Sequence, residues 1–232
     1  MDKMNARIME IFPSVQGEGT YAGVRQVFVR FFECNMHCAW CDTPNSIGDT
    51  VRDYQDMGLE EVEDKVRACA SGCHSASLTG GEPLLHKDFI RTFAPRLKAM
   101  GLKNYLETNG TLPDALAEVI DVMDIIAMDI KLPSSTKEKP FWQEHQDFLR
   151  IARRKEVFIK TVITNDTDVC DVRQAALLVA GVDARIPFIL QPNYFEMKQG
   201  VVAKCGDLAK ECAKILSDVR ILPQIHKFMK LR

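Results

Sequence analysis

The spacing of apolar residues along the chain switches repeatedly between two periods, and the switches predict its elements. Arg7 to Phe12 reads as a short strand. Gln26 to Phe32, rich in β-branched and aromatic residues, reads as a second. Leu59, Val62, Val66 and Ala70 recur at three and four residues and so share one face of a helix, with Gly72 placed to end it. Ser75 to Thr79 is a strand. Phe89, Ile90, Phe93 and Leu97 mark the next helix, in which Pro95 predicts a kink. Lys103 to Glu107 is a strand, and a helix from Asp114 to Val122 opens with Pro113. Ile125 to Asp129 is a strand, Ser134 to Pro140 a polar, mobile loop, and Trp142 to Arg153 a helix. Val157 to Ile163 is a strand, and Val169 to Val179 is a helix with Gly181 behind it. Pro187 to Leu190 is a strand, Lys204 to Leu216 a helix and Val219 to Leu222 a last strand.

Strands alternating with helices imply a parallel sheet with right-handed crossovers. Polar and glycine-rich residues collect where each strand hands over to its helix, which is where a β/α barrel places its active site. No linker, repeat or low-complexity segment interrupts the pattern, so residues 1–232 are expected to form a single domain.

Composition narrows the function classes. With 46% hydrophobic residues the chain can bury a full core. Its net charge of -2 argues against a large nucleic-acid surface, and no apolar run is long enough to cross a bilayer. Met1-Asp2-Lys3-Met4-Asn5-Ala6-Arg7 has no apolar signal core, which predicts a cytoplasmic protein. Eight cysteines without an export signal point to metal or redox chemistry in a reducing compartment.

Three of those cysteines, Cys34, Cys38 and Cys41, stand together with Trp40 before the third. Thiolates bind soft metals and iron–sulfur clusters. A closed zinc site or a ferredoxin cluster wants four ligands, and this loop offers three. The alternative is a zinc loop with His37 as fourth ligand. Gly80-Gly81-Glu82-Pro83 follows the next parallel strand; glycine lets backbone approach a ligand, and a carboxylate accepts from an ammonium group. Gln16-Gly17-Glu18-Gly19 places an amide and a carboxylate in a glycine loop, which suits a polar heterocycle. Arg30 is a candidate for a substrate carboxylate, or else an edge-strand arginine that snorkels. Lys131 is a cation for a ligand carboxylate or ribose. Glu107-Thr108-Asn109-Gly110, Asp129-Ile130 and Gln191-Pro192-Asn193 should face the same mouth, or serve only as turns and caps. Cys69 and Cys73, next to His74, could suggest a second metal site, but like Cys170, Cys205 and Cys212 they read as structural.

The cysteine loop followed by Gly80-Gly81-Glu82-Pro83 resembles the radical S-adenosylmethionine (SAM) superfamily. Gln16-Gly17-Glu18-Gly19, Val27-Phe28-Val29-Arg30, Trp40-Cys41-Asp42-Thr43, Thr79 and Gln224-Ile225-His226-Lys227 follow in order and resemble the 7-carboxy-7-deazaguanine synthase family. The resemblance implies a partial, open β/α barrel. It implies a 4Fe–4S cluster on Cys34, Cys38 and Cys41, whose fourth iron binds SAM. It implies conversion of 6-carboxy-5,6,7,8-tetrahydropterin, by a 5′-deoxyadenosyl radical and ring contraction with loss of ammonia, on the way to queuosine. It assigns Mg2+ to Thr43, the pterin to Gln16, Gly17, Glu18, Arg30 and Thr79, and SAM to Gly81, Glu82, Asp129, Ile130, Lys131, Gln191, Pro192 and Asn193. It implies an electron donor such as flavodoxin or ferredoxin, and a homodimer. Three positions depart from the family pattern. Glu33 stands where a small residue often precedes the first cysteine, Asp129-Ile130 replaces a Ser-Pro, and Lys230-Leu231-Arg232 replaces a proline that reaches substrate. The rivals are a glycyl-radical activase, against which the Gln16 loop argues, and a zinc or electron-transfer protein without catalysis, against which the missing fourth cysteine argues.

Overall fold

The computed structural model describes residues 4–48 and 53–231; the readings of residues 1–3 and of Arg232 lie outside them. The strands are β1 (Asn5–Val15), β2 (Arg25–Phe31), β3 (Gln55–Gly58), β4 (Ser75–Gly80), β5 (Lys103–Thr108), β6 (Ile125–Asp129), β7 (Glu156–Ile163), β8 (Phe188–Pro192) and β9 (Val219–Ile221). They form one sheet in the order β3-β1-β2-β4-β5-β6-β7-β8-β9. Neighbours from β2 to β9 are parallel, and β1 runs antiparallel to both β2 and β3. The end strands β3 and β9 do not pair with each other, so the β/α barrel is partial and open. The helices are α1 (Leu59–Cys69), α2 (Lys87–Ala99), α3 (Pro113–Val119), α4 (Pro133–Thr136), α5 (Trp142–Ala152), α6 (Val169–Asp183), α7 (Val201–Cys212) and α8 (Ile225–Met229). None of them is long and apolar enough to cross a membrane.

Side chains alternate faces along a strand, and here the two faces differ in chemistry. One face packs under the helices in a continuous apolar core that includes Val29, Leu78, Leu106, Ile126, Ile159 and Leu190. The other face changes character along each strand. Tyr105, Ile125, Ala127, Phe158 and Ile189 form a small apolar cluster low in the barrel. Two residues after four of these come Glu107, Asp129, Lys160 and Gln191, all of which line a cavity. The strands therefore close the bottom of the barrel with hydrocarbon and open its top with charge.

Several boundaries move. β3 is unpredicted: it is four residues long and buries only Met57, too short for a periodic signal. Pro95 lies inside α2, which is continuous over Lys87–Ala99. Gly181 lies within α6, not behind it; Val182 beyond it still packs on the core and carries the helix past the glycine. The 134–140 segment is not a mobile loop. It begins in α4, Ser135 and Thr136 are buried, and Thr136 O accepts from Ala39 N at 2.9 Å. The segment braces the cysteine loop, which a composition of serine, threonine and lysine does not reveal.

Candidate active site

A cavity of about 360 Å³ opens where the parallel strands end, a volume in the range of small-molecule sites. Cys34, Cys38 and Cys41 all line it, half-buried, from the loop that leaves β2. Burial pushes the Cys34 thiol up to about 11 and raises that of Cys38. His37 is exposed and does not line the cavity, which removes the expected fourth ligand of a zinc loop. The loop is held from outside. Trp40 Nε1 donates to Ser135 Oγ at 3.3 Å, and His37 N donates to Glu138 Oε1 at 2.7 Å. Asn35 Nδ2 donates to Thr111 Oγ1, and Asn109 Nδ2 to Asn35 Oδ1, each at 2.8 Å. Three thiols on one braced loop, with none of the other cysteines facing the cavity, fit a cluster with one protein-free iron.

The Gly80-Gly81-Glu82 turn grips the start of this loop. Gly81 N donates to Phe31 O at 3.1 Å, and Glu82 N donates to Glu33 O at 2.8 Å. A Cβ on Gly81 would stand 2.5 Å from the Glu33 carbonyl carbon and 2.8 Å from Ser46 O. Although Gly81 borders the cavity, its missing side chain makes room for protein backbone, not for a ligand. Glu82 also departs from expectation. It is fully buried, does not line the cavity, and accepts from Leu84 N (3.1 Å), Thr108 Oγ1 (3.0 Å) and Asn109 N (2.8 Å). Burial pushes its pKa up to about 7. Its carboxylate joins two strand-to-helix turns and offers nothing to the cavity.

Alternation sorts the remaining SAM candidates. Asp129 and Lys131 line the cavity while Ile130 between them belongs to the core. Gln191 and Asn193 line it while Pro192 between them does not. Ile130 and Pro192 are thus spacers. Lys131 Nζ donates to Asp129 Oδ2 at 2.9 Å and sits 4.5 Å from the centroid of the Trp40 ring. The Asp129 charge outweighs burial and keeps Lys131 protonated. Asp129 Oδ1 and Gln191 Oε1 are buried acceptors with no hydrogen-bond partner among the described residues. Two orphaned acceptors beside a lysine, across from three thiols, suit a ligand that brings hydroxyl and ammonium donors.

The Gln16–Gly19 loop enters the cavity from the other side. Both N–H groups of the Gln16 amide are engaged, by Gln26 Oε1 at 3.0 Å and Glu107 Oε1 at 2.7 Å, and its Oε1 accepts from Glu18 N at 3.0 Å. Gln16 holds the loop and has no N–H free for a heterocycle. Glu18 takes an ion pair from Lys160 and a 2.7 Å hydrogen bond from Gln224 Nε2. Burial alone would raise its pKa, but the Lys160 ammonium outweighs it and holds the carboxyl at about 2. Glu107 also accepts from Ser77 and from Thr79 Oγ1, at 3.0 and 2.9 Å. Arg30 lines the cavity but is paired, its Nε donating to Glu10 Oε1 at 2.7 Å. Thr43 lines the cavity and makes no side-chain capping bond to the turn after it.

Lys160 and several long-range partnerships went unread in the sequence. Lys160 interrupts a strand of apolar residues, Val157 to Ile163, and a lone lysine there is itself the signal. Glu107 was expected at the mouth and lines the cavity, but its bonds to Gln16, Ser77 and Thr79 were not foreseen. The C-terminal segment returns to the cavity: Ile225 N donates to Gly17 O at 2.9 Å, Gln224 Nε2 to Asp42 Oδ2 at 3.2 Å, and Lys227 pairs with Asp42 at 3.4 Å. Glu18, Asp42 and His226 offer ligand atoms within 4.8 Å of one another. Each carboxylate already faces a lysine, Lys160 or Lys227, so the group is a compensated ion-pair network and not a cation site. Cys69 ends α1 and packs on the core with Cys73, and no metal-binding group of described residues includes either.

Residues 29–176 match the radical SAM superfamily. Over its length the chain is similar to 7-carboxy-7-deazaguanine synthase of Geobacter sulfurreducens, at 38% identity over 99% of this chain and 99% of that one. It is 33% identical to the enzyme of the same name from Archaeoglobus fulgidus, over 99% and 100% of the two chains. Among solved structures, QueE from Escherichia coli superposes with a TM-score of 0.63 at 20% identity, covering 95% of this chain and 94% of that one. TYW1 with a lysine-pyruvate adduct bound superposes with the same TM-score of 0.63 at 15% identity, over 88% and 80%.

Proposed function

The chain belongs to the 7-carboxy-7-deazaguanine synthase family of the radical SAM superfamily, and on that premise we propose that it converts 6-carboxy-5,6,7,8-tetrahydropterin to 7-carboxy-7-deazaguanine with loss of ammonia. The observation that carries the reading is one cavity lined both by Cys34, Cys38 and Cys41 and by Glu18, Arg30 and Thr79. A 4Fe–4S cluster with SAM supplies, when bound, a carbon-centred radical that abstracts hydrogen from the substrate.

The chain's own residues hold and shield these groups. Cys34, Cys38 and Cys41 are the cluster ligands. Asp129 Oδ1 and Gln191 Oε1 would accept from SAM and Lys131 would hold its carboxylate, with Asn193 beside them on the cavity wall. Glu18 accepts from the amino-pyrimidine edge of the pterin. Arg30 turns from Glu10 to the pterin carboxylate. Gly17 lets the C-terminal segment lie over the ring, while Gln16 and Thr79 are set by their bonds to Glu107. The Thr43 hydroxyl, which accepts from Ser46 Oγ at 3.4 Å, would be the protein's oxygen for Mg2+, which usually completes its shell with substrate oxygens and water. An electron donor such as flavodoxin or ferredoxin, a homodimer and a cytoplasmic location belong to the same reading.

The test is anaerobic incubation of the reconstituted protein with reductant, SAM and the carboxytetrahydropterin, with mass detection of products. Formation of 7-carboxy-7-deazaguanine and ammonia is expected. SAM cleavage without that product would leave only the superfamily assignment. Omitting magnesium should slow turnover; no response to chelator would return Thr43 to a structural role.

A further inference from the structure

Lys160 is nearly buried, its side chain 13% exposed, and it lines the cavity from the middle of β7. An ammonium carries three N–H donors and no acceptor. In the hydrogen bonds of the described residues Nζ uses one of them, toward Glu18. Asp129 Oδ2 lies 3.8 Å away, an ion-pair distance that is too long for a hydrogen bond. A desolvated cation with donors left over is costly unless something else receives them.

We propose that Lys160 determines substrate specificity, donating to the 4-oxo group of the pterin while Glu18 accepts from the neighbouring N3–H and 2-amino groups. The inference rests on the pterin reading above. A 2-amino-4-oxopyrimidine edge presents two donors followed by one acceptor. The Glu18 carboxylate and the Lys160 ammonium, in contact, present two acceptors followed by one donor. Each carboxylate oxygen has a second lone pair, so the bonds from Gln224 and Lys160 do not exhaust Glu18. The loop that carries Glu18 is fixed by the Gln16 amide, so the two side chains meet the ligand edge already aligned. The competing role is charge balance alone: Lys160 neutralises Glu18, Asp129 and Glu107 and never touches the ligand.

The two roles differ in a ratio of affinities. Pterin-6-carboxylate and its 4-thio analogue share both N–H donors that Glu18 would accept, and differ only in the strength of the acceptor at position 4. Binding of each is measured by calorimetry to the anaerobically reconstituted protein with SAM present. The wild type should prefer the 4-oxo ligand by roughly ten- to a hundredfold, the range of one hydrogen bond to a charged group. Lys160→Met should bring that ratio close to one, and Lys160→Gln, which keeps a neutral donor, should retain part of the preference. A preference that survives intact in Lys160→Met overturns the inference and leaves charge balance. Should Lys160→Met fail to fold, an undiminished preference in Lys160→Gln overturns it equally. If the wild type binds neither ligand, the pterin reading fails and the inference falls with it.

Discussion

Gly17 and His226 touch across the mouth of the cavity, with no room for a side chain between them. A Cβ on Gly17 would stand 2.5 Å from Cγ and 2.6 Å from Cβ of His226, close to the imidazole's own backbone attachment. The contact is reinforced by the Ile225 N to Gly17 O hydrogen bond and by Gln224 reaching Glu18. Gly17→Ala therefore cannot be absorbed by a ring flip; it must push α8 away. We expect pterin affinity to fall at least tenfold while iron content and SAM affinity stay at wild-type levels. Equal pterin affinity in Gly17→Ala would mean that α8 does not cover the ligand.

The three thiols that share the cavity should account for all of the iron. Reconstitution is expected to give about four irons per chain. Cys34→Ala, Cys38→Ala and Cys41→Ala should each lose the cluster, because a loop of three ligands has none to spare. Cys69→Ala and Cys73→Ala should keep it, since Cys69 ends α1, Cys73 lies in the turn beyond it, and both pack on the core. Iron lost from Cys69→Ala but kept in Cys38→Ala would reverse the assignment.

Glu18 links stability to acid. Its carboxyl is lowered from 4.5 to about 2 in the folded protein, so the folded state binds this proton less readily than the unfolded one. The stability it contributes is fully present above pH 4.5 and is lost as pH falls through about 2. The shift corresponds to about 3 kcal/mol, and the side chain is 16% exposed, so screening by water removes little of it. In Glu18→Gln the loss of a partner for Lys160 adds a cost that does not vary over this range. The stability gap between wild type and Glu18→Gln, measured by denaturant unfolding, should narrow by about 3 kcal/mol from pH 4.5 toward pH 2. A gap that stays constant would show that the carboxylate is not held ionised by Lys160.

The barrel and its cysteine loop were readable because local chemistry announces them. Alternating periods mark β4 to β9, and a three-cysteine spacing has few structural uses. Residue-level roles were less readable, for a geometric reason. Runs such as Asp129-Ile130-Lys131 and Gln191-Pro192-Asn193 look like continuous motifs, yet a strand turns every second residue away, so Ile130 and Pro192 never reach the cavity. Lys160, and the bond that ties Gln16 to Glu107, were missed because the partners are distant in sequence. Glu33 stands where a small residue is common, and its φ of 82° shows why glycine would suit the position. The Arg7 ion pair and the backbone bonds to Ser46 and Glu82 hold it in that conformation.

Gly81 carries the sharpest change between sequence and structure. The motif suggests a glycine that leaves space for SAM, so that a side chain would block the ligand and spare the cluster. The contacts say otherwise. The space over its Cα is filled by the Glu33 carbonyl and Ser46 O, the backbone that launches the cysteine loop. Neither neighbour is the tip of a flexible side chain, so even one methyl must displace backbone. Overpacking of this kind typically costs about 1–3 kcal/mol. Gly81→Ala is therefore expected to lower the unfolding temperature and to reduce iron retention after reconstitution, because the shifted loop carries Cys34. Loss of SAM binding would follow from the missing cluster and not from a filled pocket. The measurement is iron content and thermal unfolding of Gly81→Ala beside wild type, before any SAM is added. Full iron and an unchanged unfolding temperature, with SAM affinity alone reduced, would restore Gly81 to the ligand side of the cavity.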